Sequence, residues 1–283
     1  MAKGISIHIG LNEIDESKYG TKGELKNCEN DARAMASLAE SASFSVVSTL
    51  LTSEATSQKV TELLGQAATE LTDGDILLLT YAGHGAQVTD RNSDELDRKD
   101  ETWVLYDRQF VDDELYNLYS QFAGGVRILV LSDSCHSGTV AREIPLLLDS
   151  SELQRSFDSS DPADVRLRVR TLPSQYQLLN YQRDQDVYDG IQRDLPSGDQ
   201  QEIAASVLLV SGCQDNQTSS DGSGVNGLFT ETLLKTWRSG GFQGSYTTLH
   251  RQIVDQMPPY QTPNLFQVGA NGTAFAGQQP FTI

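Results

Sequence analysis

Cysteine is scarce in this chain of 283 residues: Cys28, Cys135 and Cys213 lie far apart and form no Cys-x-x-Cys pair. That excludes a disulfide framework and a structural zinc site. The four histidines, His8, His84, His136 and His250, also fall at no zinc-like spacing. Basic residues are few, with 21 Lys and Arg against 39 Asp and Glu and a net charge of −18. A polyanion is repelled by such a surface, so no nucleic-acid partner is expected. Long apolar runs are missing too. Ile76 to Leu79 and Ile128 to Leu131 are far shorter than the roughly 20 residues of a membrane span, and the N-terminus has no signal-peptide core. The expectation is a cytoplasmic protein with no membrane partner, in which each cysteine is either a core thiol or a nucleophile.

What is present has a clear order. Apolar residues make up 38% of the chain, enough for one large domain or two small ones. Strands are expected around Ile5, Ile7 and Ile9, at Ser45 to Leu51, Ile76 to Tyr81, Trp103 to Tyr106, Val126 to Leu131 and Ser206 to Ser211, with a short one near Leu265 to Val268. Helices are expected at Leu25 to Ala42, from Val60 to Leu71, and at Asp112 to Phe122, Gly227 to Trp237 and Tyr246 to Met257. Alternation of helices with apolar strands predicts an α/β fold, a mostly parallel central sheet with helices on both faces. From about Glu143 to Glu202 the pattern breaks into a polar segment interrupted by Pro145, Pro162, Pro173 and Pro196.

Two buried strands end in motifs that carry chemistry. One is Tyr81-Ala82-Gly83-His84-Gly85, the other Asp133-Ser134-Cys135-His136-Ser137-Gly138. Ligands of open α/β sheets bind outside the carboxyl ends of the strands, so both motifs should meet at one crevice. A histidine there can take the proton of Cys135 and later protonate a leaving amine. The amides of Gly85 and Cys135 are placed to form an oxyanion hole. A lone histidine after a strand, or a lone cysteine, is commonly structural. The pair, flanked by glycines on neighbouring strand ends, points instead to a His84/Cys135 dyad. His136 is the rival base, but beside the cysteine it is expected to point away, so His84 ranks above it.

These residues carry a family resemblance. Gly-His-Gly lies 51 residues before the cysteine, which resembles the spacing of caspase-like peptidases. The caspase nucleophile motif itself is absent, and Asp-Ser-Cys-His-Ser-Gly resembles that of metacaspases and the compact bacterial orthocaspases. Leu25 to Ala32 and Ser211 to Ser219 are further matches, in order along nearly the whole chain. The resemblance implies a caspase-like fold with a large-subunit region (1–142), a linker (143–202) and a small-subunit region (203–283) of the same domain. It implies a monomeric cysteine endopeptidase that acts on peptides or proteins and cuts after Arg or Lys, not after Asp. By the family pattern Asp31 and Asp133 line the pocket for the residue before the scissile bond. Two confined carboxylates select a cation, Arg above all for its bidentate fork. Cys28 is expected to flank the pocket, Ala82 stands where many relatives have Ser, Asp215 is a further pocket candidate, and Cys213 is expected to be buried.

The same resemblance raises calcium. Asp100, Asp112 and Asp113 match three acidic positions of the calcium-dependent type, but a fourth is Arg142 here. A guanidinium removes one ligand and adds repulsion, so the expectation is that no cofactor is required. The competing reading of the three carboxylates is a helix N-terminus beside a solvated loop. In the linker every basic residue is Arg: Arg155, Arg166, Arg168, Arg170, Arg183 and Arg193. An Arg-specific peptidase would find six processing sites there. The alternative to an enzyme is a caspase-like binding or scaffold module with little turnover.

Overall fold

The computed structural model describes residues 2–89, 99–134, 169–195, 201–214, 217, 219–222 and 224–283. Nine strands are described: β1 (Gly4–Gly10), β2 (Ser45–Leu51), β3 (Ile76–Ala82), β4 (Gly85–Thr89), β5 (Lys99–Val104), β6 (Gln109–Val111), β7 (Arg127–Asp133), β8 (Ser206–Ser211) and β9 (Asn264–Gly269). The α-helices are α1 (Glu16–Tyr19), α2 (Cys28–Ser41), α3 (Ser57–Glu70), α4 (Asp112–Tyr119), α5 (Ser174–Arg183), α6 (Gln185–Asp194), α7 (Leu228–Trp237), α8 (Tyr246–Val254) and α9 (Gly272–Ala276). The central sheet has the order β2-β1-β3-β7-β8-β9, all parallel except β9. Strands from 1–142 and from 203–283 thus lie side by side in one sheet.

The strands are apolar because both faces are covered. Ile5, Ile7, Ile9, Leu77, Leu79, Ile128 and Val130 pack with α3 and α4 residues such as Leu64 and Leu118. Their neighbours Ile76, Leu78, Leu129, Leu131 and Leu208 face the opposite way, against Met35 of α2, Leu233 of α7 and Ile253 of α8. Side chains alternate across a strand, so each buried run feeds two cores. The sequence reading of helices on both faces holds.

The order of strands reverses between β1 and β3. Gly10 pairs with Ala82 and Ala82 with Asp133, so three strand ends open on one edge of the sheet at the switch point. A Cβ at Gly10 would lie 2.8 Å from the Ala32 Cβ, so glycine lets α2 start close against the sheet. A second sheet, antiparallel β4-β5-β6, follows β3 directly.

Some boundaries differ from the expectation. The strand expected at Trp103 to Tyr106 is β5, shifted earlier, and β4 has no clear sequence signal. The 143–202 segment, expected to lack a lasting pattern, contains α5 and α6. Their buried faces are polar, with Gln177, Asn180 and Gln192 inside, while Leu178 and Leu179 are about half exposed. No apolar period marks such helices. Among the described residues no helix is long and apolar enough to cross a membrane.

One buried group makes stability depend on pH. His8 lies inside the sheet with Nδ1 2.9 Å from Thr80 Oγ1 and Nε2 2.9 Å from Ser6 Oγ. Burial lowers its pKa from 6.5 to about 3. As pH falls below 6.5, the unfolded chain binds a proton that the native chain refuses until about pH 3. His8 therefore favours folding fully above 6.5 and loses that contribution across the window, by about 1.4 kcal/mol per pH unit. Urea unfolding from neutral pH to pH 4 should show a shallower acid slope in His8→Gln than in wild type. Parallel profiles would remove His8 from the account.

Candidate active site

His84 follows β3 and is buried. Its loop is held by Tyr81, whose hydroxyl donates to the carbonyls of His84 (2.6 Å) and Val104 (3.1 Å). Trp103 stacks on Tyr81 at 4.5 Å between ring centroids, and its indole N–H donates to Ser132 Oγ at 3.0 Å. Nε2 of His84 lies 2.8 Å from the Gly23 carbonyl. A carbonyl only accepts, so Nε2 carries the proton and Nδ1 carries the lone pair of the neutral ring. Gly23 has φ of +53°, and a Cβ there would stand 3.2 Å from the imidazole. Glycine lets the carbonyl reach the ring. Burial lowers the His84 pKa to about 4, with the Gly23 bond opposing in part. The imidazole is thus a neutral base at ordinary pH.

The carboxylates surround a guanidinium of the chain itself. Arg170, from the linker, is wholly buried. Its Nη1 lies 2.8 Å from Asp133, and its Nη2 lies 2.5 Å from Asp31 and 3.0 Å from Asp221. Each carboxylate is fixed by further donors. Asp31 Oδ1 accepts from Asn226 Nδ2 and the Gly227 amide, both at 2.9 Å. Asp133 accepts from Ser219 Oγ (2.5 Å) and Thr230 Oγ1 (3.0 Å). Asp221 accepts from the amides of Lys26 (2.7 Å) and Asn27 (3.2 Å). Burial raises the Asp31 carboxyl to about 6, against the pull of Arg170. Burial also opposes the charge on Arg170, but Asp133, Asp31 and Asp221 overcome it and raise its pKa.

The backbone around Arg170 is extended across the strand ends. Its N–H donates to the Ser219 carbonyl at 2.9 Å, and Val169 bridges Ser220 in antiparallel sense. Its carbonyl accepts from the Gly85 amide at 2.9 Å. Leu172 N–H donates to the Gly85 carbonyl at 2.9 Å. The chain's own segment thus crosses the strand ends, with the Arg170 side chain among carboxylates and the Arg170 carbonyl on the Gly85 amide.

Cys28 flanks this pocket, its thiol 3.8 Å from Asp221, and burial raises its pKa. Ala82 lines a void of about 10 Å³ beneath Asp31 and Asp133. Cys213 is buried, with its sulfur 3.5 Å from the Ser134 carbonyl. Asp221, Asn226, Gly227 and Thr230 carry no site signal in the sequence, and Ser219 is marked there only as the end of the Ser211 to Ser219 match. Asp221 stands in a Ser- and Gly-rich stretch where aspartate reads as a turn former. Arg183 ends α5, and Arg193 lies within α6. Of the remaining residues of interest, Cys135, His136, Arg142, Arg155, Arg166, Arg168 and Asp215 lie outside the described residues.

The calcium candidates lie close enough to act on one another, and Asp100 and Asp113 are buried. Burial raises the Asp112 carboxyl, helped by the charges of Glu101, Asp100 and Asp113. Among the described residues no group of three His, Cys, Asp or Glu is placed to hold a metal ion.

A histidine, a backbone amide and a guanidinium seated on three carboxylates lie together at the strand ends of a caspase-fold domain. The sequence profile of the caspase domain, Peptidase C14, matches residues 7–274. The chain belongs to that family, on its metacaspase and orthocaspase side. Metacaspase-1 of Schizosaccharomyces pombe is 27% identical over 277 residues, covering 87% of this chain and 62% of that protein. Metacaspase-1B of Neurospora crassa is 27% identical over 286 residues, covering 91% and 65% respectively. This chain spans less than two thirds of the length of either. The crystal structure of protein GSU0716 from Geobacter sulfurreducens is similar at a TM-score of 0.85 and 45% identity, over 99% of both chains. Caspase-1 from Spodoptera frugiperda shares the fold at a TM-score of 0.51 and 10% identity, over 95% of this chain and 86% of that one.

Proposed function

We propose that the protein is a cysteine endopeptidase that cleaves after arginine, and less well after lysine, and that it processes its own linker at Arg170. The observation that carries this is the buried Arg170 guanidinium on three carboxylates, with the Arg170 carbonyl on the Gly85 amide. Cys135 is the nucleophile. His84 Nδ1 takes its proton, and the thiolate attacks the carbonyl carbon. The Gly85 and Cys135 amides stabilise the oxyanion. His84 then protonates the leaving nitrogen, and water hydrolyses the thioester.

Arginine outranks lysine for a geometric reason. Its two terminal nitrogens reach different partners, Asp133 on one side and Asp31 with Asp221 on the other. A lysine ammonium is one point charge and cannot span them. An extended segment is needed in the cleft, which favours Arg170 over Arg183 and Arg193 in their helices.

Fluorogenic peptides with Arg, Lys or Asp before the reporter test the reading, with Cys135→Ala as the blank. Arg should exceed Lys, and Asp should be near the blank. Rates in excess chelator and in added calcium should agree within a few fold. Comparable turnover after Arg and Asp would sink the specificity, and a large chelator-reversible gain would sink calcium independence.

A further inference from the structure

We propose that the protein re-forms its own Arg170–Thr171 peptide bond as well as cutting it, because the two sides of that bond are clamped independently. The proposal rests on the peptidase reading above. On the amino side, Arg170 is held by three carboxylates and by its N–H on Ser219. On the carboxyl side, Leu172 is fully buried in the main core. Its N–H donates to Gly85, and its carbonyl accepts from the Gln177 side-chain amide. Gln177 in turn accepts from the Gln87 amide at 3.1 Å.

The helices that follow are tied down as well. Asn180 Oδ1 accepts from Tyr188 (2.6 Å) and from Gln109 Nε2 (2.9 Å), the Gln109 amide donates to the Tyr188 hydroxyl (3.0 Å), and Gln192 donates to the Thr89 carbonyl (3.0 Å). None of these contacts uses the Arg170–Thr171 bond itself. Cutting it leaves both ends where they were.

In the forward step the Cys135 sulfur bonds to the Arg170 carbonyl carbon, the bond to Thr171 nitrogen breaks, and that nitrogen takes the proton held by His84. An ordinary leaving amine then diffuses away and water replaces it. Here the amine sits one residue from the Leu172 anchor, about 3.8 Å along the backbone. Well-oriented groups held this way react at effective concentrations of about 10⁵–10⁸ M. The amine therefore attacks the thioester in preference to water. Its proton returns to His84 and the thiolate is expelled. No further reactant is needed.

Hydroxylamine, a small competing nucleophile, tests this on the full-length chain. It would capture the thioester as an Arg170 hydroxamate, identified by mass spectrometry. Scission at Arg170 should run at least tenfold faster with hydroxylamine than in buffer alone. Leu172→Ala, and Gln177→Ala as the variant gentler on the core, should speed scission in buffer until the ratio approaches one. A wild-type ratio near one, a ratio unmoved in both variants, or no scission at Arg170 under either condition would overturn the proposal. Turnover of arginyl peptides by Arg170→Ala reports the peptidase reading separately. If that variant is active while the wild-type ratio is one, only re-formation fails. If it cleaves no arginyl peptide although circular dichroism shows the native fold, the reading beneath it fails.

Discussion

Asparagine at position 133 is expected to lower kcat/KM for arginyl peptides by a factor of about 30 to 5,000. Asp133 provides the carboxylate 2.8 Å from the guanidinium Nη1, and both its oxygens also accept from hydroxyls, Ser219 and Thr230. Truncating one partner of a buried, hydrogen-bonded charge pair costs about 2–5 kcal/mol, which corresponds to that factor. Asparagine keeps the shape but turns an N–H₂ toward a donor, so one contact becomes repulsive as well as weaker. Steady-state kinetics with arginyl peptides will show it, with circular dichroism to confirm an intact fold. A loss below tenfold would mean that Asp133 does not bind the substrate cation. Asp31→Asn should behave differently, because the Asp31 carboxyl is raised to about 6 by burial. Its charge grows as pH rises through that value, so the gap between wild type and Asp31→Asn should widen from pH 5 to pH 7.

The second large effect removes space instead of charge. Gly227 caps the N-terminus of α7, and a Cβ there would lie 2.7 Å from Arg170 Cζ and 2.9 Å from Nη1. Its φ of −60° suits any residue, so alanine should fold without backbone strain. Gly227→Ala should therefore keep all three carboxylates and still reduce cleavage after arginine by at least a hundredfold. Self-processing at Arg170 should fall in parallel, since the same guanidinium must fit. Lysine, with a narrower tip, should suffer less, so the Arg-to-Lys preference should shrink. An unchanged preference would show that the wall of the pocket lies elsewhere.

What could be read from the residues follows from how each feature is encoded. Ile76 to Tyr81 and Val126 to Leu131 are apolar on both faces, and the motifs at their ends carry distinctive glycines, so the central strands and His84 were legible. Asp31 and Asp133 came from the family pattern, and both meet the same cation here. Asp221 was not legible, because it reaches the pocket from a loop whose sequence is that of a turn. Helices α5 and α6 were hidden by docking through amides and tyrosine hydroxyls. Nothing in the composition of the linker distinguished Arg170 from the five other arginines. Among the described linker arginines, what sets it apart from Arg183 and Arg193 is a pair of backbone contacts, with Ser219 and Gly85, which require the folded sheet.

Three carboxylates around a single guanidinium have a consequence for how the chain acquires its shape. With Arg170 in place, the pocket holds one cation among three acids. Without it, three acids would have to be gathered in a dry interior with no counter-charge, and leaving buried charges unpaired typically costs about 3–5 kcal/mol. The linker arginine thus acts as an internal template around which the pocket can close during folding. A chain made without residues 143–202 would have to borrow that template. Small guanidinium compounds at non-denaturing concentration should raise its refolding yield, and sodium chloride of equal ionic strength should not.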